Sequence, residues 1–283
     1  MIKINDKIIK CTKFPNEETL VDTTELNNVE NGCNIHFKFT TNESILHFYF
    51  VLSHLFDRCI KNKKIFIYYI PYSRMDRNEN GNCFTLKYII DIIQSKLAPN
   101  DCIYIVEPHS SESLNFFNET QRINAITPLM KKIMSEQSID VICYPDKGAK
   151  ERFSDDATKL PVIYCEKVRD FESGKILGLK LVTDVDIKDK NVLILDDLCS
   201  AGGTFYYTSL ELKKSGAKDV FLGVCHMEQN IINGKLLTGE KPIKHIYCFD
   251  TMLDHFVKEN FSIFPIITIY NIEKFLKNGK VEE

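Results

Sequence analysis

Short apolar runs alternate with amphipathic stretches along the chain. Residues 65–70 read as a strand, 85–97 as a helix and 103–106 as the next strand. After a helical stretch around 127–134 the rhythm resumes, with strands at 141–144, 162–164, 192–195 and 220–224. Apolar runs this short and uninterrupted fit parallel strands covered on both faces, and their separation by helical stretches fits doubly wound sheets. The pattern predicts an α/β protein of two Rossmann-like domains with mostly parallel sheets. The polar stretch 135–140 marks the boundary, giving domains over 1–138 and 139–270, and residues 271–283 read as a final helix.

With 283 residues, 44% of them hydrophobic and 27% charged, the chain has room for two such domains and an ordinary globular composition. Its formal net charge of −3 argues against a nucleic-acid footprint, which needs a clustered basic surface. The apolar cluster 45–52 is interrupted by His47, followed by His54, and is too short for a bilayer, so it is assigned to the core. Ten cysteines are scattered without a Cys-x-x-Cys pair, and the N-terminus lacks the apolar core of a signal peptide. The expected setting is a reduced cytoplasm without structural zinc. Only six of the 36 basic residues are arginine, so an arginine marks a place where a planar, bidentate donor is wanted.

The richest chemistry lies in Asn191-Val-Leu-Ile-Leu-Asp-Asp-Leu-Cys-Ser-Ala-Gly-Gly-Thr204. A buried strand ends here on two carboxylates, Asp196 and Asp197, where open α/β sheets bind ligands. Ser200, Ala201, Gly202 and Gly203 allow a tight turn with close backbone approach, and Thr204 opens a helix over 204–215 closed by Gly216. The free N–H groups and dipole of that helix start suit an anion. Carboxylates accept hydrogen bonds and repel anions, so the acidic pair suits sugar hydroxyls rather than phosphate. The bland alternative is a strand-to-helix turn that binds nothing.

This run resembles the phosphoribosyl-diphosphate motif of the type I phosphoribosyltransferase fold. Further segments narrow the resemblance to the ribose-phosphate pyrophosphokinases: Phe14-Pro-Asn-Glu-Glu-Thr19, Pro71-Tyr-Ser-Arg-Met-Asp-Arg77, Glu107-Pro-His-Ser110 followed by Phe116-Phe117, Tyr144-Pro-Asp-Lys-Gly148, Lys167-Val-Arg169 and Leu181-Val-Thr-Asp-Val185. The resemblance implies transfer of the β,γ-diphosphoryl group of ATP to the anomeric hydroxyl of a ribose 5-phosphoryl acceptor, with AMP released and Mg2+ as cofactor. It implies that Lys167 and Arg169 are the catalytic cations, on a mobile loop over 165–179. It places His109 and Asp146 near metal and triphosphate, with Asp146 the more natural magnesium ligand because that ion prefers oxygen. Phe14, Asn16 and Glu18 would hold the adenine, contributed by a neighbouring subunit, with Arg74, Asp76, Arg77 and His109 completing the ATP site. The implied assembly is a homo-oligomer, a dimer or hexamer with shared ATP sites, in which the final helix returns to the first domain. Asp196, Asp197 and the loop Ser200, Ala201, Gly202, Gly203 and Thr204 would bind the ribose phosphate.

Two departures from the family pattern alter that expectation. Met75 stands where a polar residue follows the matching arginine, and Ser200 and Ala201 replace an Asp and a Thr of the phosphate loop. Loss of a hydroxyl donor weakens the hold on a charged oxygen by roughly 1 kcal/mol. Smaller side chains also make room for a substituted phosphate. ADP-ribose, the acceptor of some viral relatives that rebuild NAD, fits that description, so the expectation leans towards it, with ribose 5-phosphate as the alternative. The other readings are a phosphoribosyltransferase, against which Lys167, Arg169 and the Phe14 segment count, and a non-catalytic regulatory homologue, which should lack the cationic pair or Asp146.

Overall fold

The structure, a computed structural model, describes residues 1–78, 81–153, 158–169, 176–238, 240–253, 266–277 and 280–281; at 167–169, 176–178, 277 and 280–281 it describes the backbone. The chain divides into two compact units, one of 1–123 with 278–280 and one of 124–277 with 281–283. The division therefore falls before the helix at 126–136, which belongs to the second unit, and not at 138/139.

In the first unit, β1 (Ile2–Ile4), β2 (Lys7–Ile8), β5 (Asn34–Phe37), β6 (Lys64–Ile67), β7 (Cys102–Val106) and β8 (Thr120–Ile123) form a six-stranded sheet ordered β2-β1-β5-β6-β7-β8. Strands β5 to β8 run parallel, and β1 and β2 add an antiparallel edge. A separate antiparallel hairpin joins β3 (Cys11–Lys13) to β4 (Thr19–Val21). Helix α1 (Asn42–Asp57) accounts for the apolar cluster at 45–52: Ile45, Phe48, Val51, Leu52 and Leu55 recur at helical spacing and are buried. Phe48 stacks on Phe37 of β5 at 4.2 Å between ring centroids. Helix α2 (Thr85–Gln94) matches its predicted start and ends earlier than expected, and the short α3 (Glu112–Asn115) follows β7. At the starts of β6 and β7, Lys63 and Asp101 form a fully buried ion pair at 2.6 Å.

The second unit opens with α4 (Ile126–Glu136). Its sheet comprises β9 (Val141–Tyr144), β10 (Val162–Arg169), β11 (Ile176–Val182), β12 (Asn191–Cys199), β13 (Asp219–Met227), β14 (His245–Phe249) and β15 (Ile267–Tyr270), ordered β11-β10-β9-β12-β13-β14-β15. All pairs are parallel except β10 with β11. Helix α5 (Lys147–Phe153) follows β9, α6 (Gly203–Lys214) follows β12, and α7 (Lys235–Thr238) follows a 3-10 turn at Gln229–Asn233. From β9 the chain moves to β10 on one side and later returns to β12 on the other. The sheet therefore has a topological switch point between the carboxyl ends of β9 and β12, where open α/β sheets hold ligands.

Three expectations about elements are corrected. Residues 271–283 do not form a helix where described: Ile272–Phe275 is a 3-10 turn, and the short strands β16 (Leu276–Lys277) and β17 (Lys280–Val281) pair with each other. The Tyr270 and Phe275 rings pack against Phe249, and the Ile272 N–H donates to Asp250 Oδ1 at 2.9 Å, which pins the exit from β15 in a short turn. The expected loop 165–179 is instead two arms of an antiparallel hairpin, with Lys167 opposite Leu179 and Arg169 opposite Ile176; residues 170–175 lie outside the described set. Strand β12 runs on to Cys199, so the acidic pair lies inside it and not beyond its end.

Candidate active site

Strand β12 pairs with β9 only through Ile194 but with β13 through Cys199. Asp196 and Asp197 therefore sit on a strand whose β9 side has already ended, which opens the switch-point crevice beside them. Asp197 is 2% exposed, while Asp196 remains partly open and accepts a hydrogen bond from the Asp197 backbone N–H at 2.9 Å. Arg152 of α5 reaches both: its Nη2 lies 3.1 Å from Asp197 Oδ1 and 3.4 Å from Asp196 Oδ1. Burial, and next the neighbouring Asp197 charge, push the Asp196 carboxyl well above the ordinary carboxylate value, with Arg152 pulling the other way. Arg152 is the residue that sequence reasoning missed. Its signal in the sequence was the scarcity of arginine together with its place on the helix after Asp146.

Asp146 lies across the switch point, at the end of β9. Its Oδ1 accepts from the Ala149 N–H at 2.9 Å, so the side chain caps α5.

The candidate anion loop turns at a glycine into a helix start and is braced by a later segment. Gly202 has φ +77° and precedes α6, leaving Gly203 and Thr204 in its first turn. A Cβ on Gly202 would meet Leu236 Cδ1 at 2.5 Å, and one on Gly234 would meet the Ala201 carbonyl oxygen at 2.0 Å. The segment 229–238 thus lies directly against the loop and needs glycine on both sides of the contact. Ser200 Oγ accepts a hydrogen bond from Asn230 Nδ2 at 3.0 Å, and Ala201 is exposed. Nothing in the local sequence of 229–238 signalled this role, because only the return of β13 brings it to the loop.

In the first unit, Arg74, Met75, Asp76, Arg77, Asn82, Cys83, Thr85 and His109 line an open cleft of about 450 Å³. The structure thus brings together the four ATP-site residues expected from the middle of the unit. Asp76 is 6% exposed; burial raises its carboxyl, but the hydrogen bond from Arg77 Nε at 3.0 Å helps hold it below the ordinary value. His109 follows Glu107, which is buried, carries φ +39° and accepts from Arg122 Nε and Nη2 at 3.0 and 2.5 Å. A non-glycine residue with positive φ stores strain that its surroundings must hold.

Phe14, Asn16 and Glu18 form the exposed tip of the β3–β4 hairpin, where Asn16 Nδ2 donates to Glu18 Oε2 at 2.8 Å. They line a second groove with Leu20, Glu43, Leu46 and Phe50 and share no lining residue with the Arg74–His109 cleft. Within one chain, then, the trio expected to hold adenine lines a different groove from the other residues expected at the ATP site.

For magnesium, no cluster of three or more His, Cys, Asp or Glu side chains is assembled among the described residues. That suits this ion, which keeps much of its water and is commonly held by one or two carboxylates together with substrate phosphates. Asp146, a carboxylate at the crevice, fits the requirement; the imidazole of His109 fits a phosphate hydrogen bond better. No described helix is long and apolar enough to cross a membrane.

No protein-family model matches the chain. The ribose-phosphate pyrophosphokinase of Sulfurisphaera tokodaii is 31% identical over 173 residues, 59% of this chain and 58% of that protein. The enzyme of the same name from Saccharolobus solfataricus is 28% identical over 193 residues, 67% and 65% of the two chains, and that of Sulfolobus acidocaldarius 26% over 231 residues, 80% and 77%. The matched region thus spans less than two thirds of the first two relatives. A solved structure of phosphoribosylpyrophosphate synthetase from Mycobacterium smegmatis superposes with a TM-score of 0.73 at 19% identity, covering 94% of this chain and 87% of that one. By sequence the chain is a relative of the ribose-phosphate pyrophosphokinases, and its α/β fold is that of a phosphoribosylpyrophosphate synthetase.

Proposed function

We propose that this chain transfers the β,γ-diphosphoryl group of ATP to the anomeric hydroxyl of ribose 5-phosphate and releases AMP. The observation that carries the reading is the switch-point crevice: an acidic pair fit for sugar hydroxyls stands beside a glycine turn and helix start fit for a phosphate. The names of the relatives support it. Asp196 and Asp197 orient the sugar, and the N–H groups around 202–204 receive its 5-phosphate. Arg74, Arg77 and His109 hold the triphosphate, while Lys167 and Arg169 neutralise the diphosphoryl group as it moves; such a transfer depends on positioning and charge more than on covalent chemistry. Asp146 would hold magnesium, which supplies charge neutralisation between phosphate oxygens.

The sequence-based lean towards ADP-ribose gives way here, because the relatives are named for ribose phosphate. ADP-ribose stays as the second reading on one observation: exposed Ala201 offers no hydroxyl, and the Ser200 hydroxyl is already engaged by Asn230. Competition between the two sugars in one reaction with ATP and magnesium, followed by mass analysis, decides between them. Preferential phosphoribosyl diphosphate is the expected product; a preference for diphosphorylated ADP-ribose would reverse the order, and no AMP with either sugar would refute the reaction.

A further inference from the structure

We propose that Arg152 is the positioning residue of the acceptor site, holding the adjacent carboxylates of Asp196 and Asp197 as a matched pair of acceptors for two vicinal sugar hydroxyls. This rests on reading the crevice as a sugar-phosphate site. One guanidinium nitrogen stands within 3.4 Å of an oxygen of each carboxylate, and the cation is planar and always charged, so a single group can face both carboxylates at once. The Arg152 side chain is 35% exposed and the Asp196 side chain 15%, so the pair opens to the crevice and is not sealed in the core.

Two like charges side by side on one strand repel, more strongly where burial lowers the effective dielectric. Among the described residues the Asp196 carboxyl is faced by Asp197 and Arg152, and the buried Cys199 thiol on the same strand lies near enough to sense its charge. On β13, Val224 stands opposite Asp196, and His226 two residues on hydrogen-bonds Thr251 at 2.8 Å. Arg152 is therefore the cation that offsets the repulsion. Without it the pair would hold its proton to a higher pH, and a neutral carboxyl accepts hydrogen bonds about half as strongly as a carboxylate. Asp146 caps the first turn of the same helix, so α5 couples both sides of the crevice.

The test compares wild type, Arg152→Met and Arg152→Lys in two measurements. In the first, KM for ribose 5-phosphate and for ATP is followed from about pH 6 to about pH 9. Arg152→Met is expected to raise the sugar KM about tenfold at the acidic end, with recovery as pH rises and little change for ATP; Arg152→Lys restores most of the loss, since a point charge serves part of the role. A sugar KM within about twofold of wild type, an equal rise for both substrates, or a rise independent of pH overturns the proposal. In the second, carbon NMR of the aspartate carboxyls follows the unliganded protein. A carboxyl titrating at higher pH in Arg152→Met than in wild type is expected, and an unchanged titration overturns the proposal even if ribose 5-phosphate proves not to be the acceptor. Should the methionine variant fail to fold, the lysine variant carries both readouts, with a smaller shift in the same direction expected and none overturning it.

Discussion

At the scale of single residues, several side chains have structural and chemical duties that can be separated. Asp146 caps α5 and is the proposed magnesium ligand, so Asp146→Ala should cost about 1 kcal/mol of stability through the lost cap, whereas Asp146→Asn, which can still cap, should cost little. Both should abolish turnover; urea unfolding beside an AMP-release assay distinguishes the two duties. Asp76 has a carboxyl held below its ordinary value, so its contribution to stability is complete above the unfolded value of about 4 and is lost as pH falls through the lower folded one. The stability difference between wild type and Asp76→Asn should therefore be constant near neutrality and shrink below about pH 4, as thermal melts in a pH series will show.

At the scale of elements, the anion loop is a strand end and a helix start braced by a later segment. Gly234→Ala would drive a methyl group into the Ala201 carbonyl and should cost about 1–3 kcal/mol while raising KM for the acceptor. Gly203→Ala meets nothing within 4 Å and should change stability by no more than about 0.5 kcal/mol. Equal melting temperatures for the two variants would show that the brace is not felt. In the first unit, the start of β7 depends on the buried Lys63–Asp101 pair, whose carboxylate also accepts the N–H groups of Lys63 and Ala98 at 2.8 and 2.6 Å. Removing one charge leaves the other buried alone, so Lys63→Met should destabilise by about 3–5 kcal/mol, read from the denaturant midpoint.

At the scale of the whole molecule, the adenine trio and the Arg74–His109 cleft are separate surfaces of one unit, and exposed Phe14, Leu20, Leu46 and Phe50 surround the trio's groove. The expected shared ATP site would account for both facts, with the hairpin of one copy completing the cleft of another. Phe14→Ala and Asp197→Asn should each be inactive alone, and mixing them should restore activity, because a hybrid assembly pairs an intact hairpin with an intact acceptor site. No recovery on mixing, with mixed oligomers demonstrated by mass, would place the trio's function within one chain.

The sequence by itself determined the class of fold and the tight turn that follows the two carboxylates at 196–204. Short apolar runs rich in β-branched residues, such as 141–144 and 192–195, fit strands covered on both faces, and a glycine turn after two carboxylates constrains the backbone locally, so both are legible without neighbours. Tertiary structure alone decided where β12 stops being paired, because that depends on the length of β9 and on the order β10-β9-β12. It also decided that Arg152 meets the acidic pair and that 229–238 braces the anion loop, contacts between residues far apart in the chain whose local sequences carry no periodic signal. The short turn after β15 was lost to the sequence for the same reason: Ile272 and Phe275 are held by Asp250 and Phe249 at a distant strand end, contacts that override the weak helical preference of the segment.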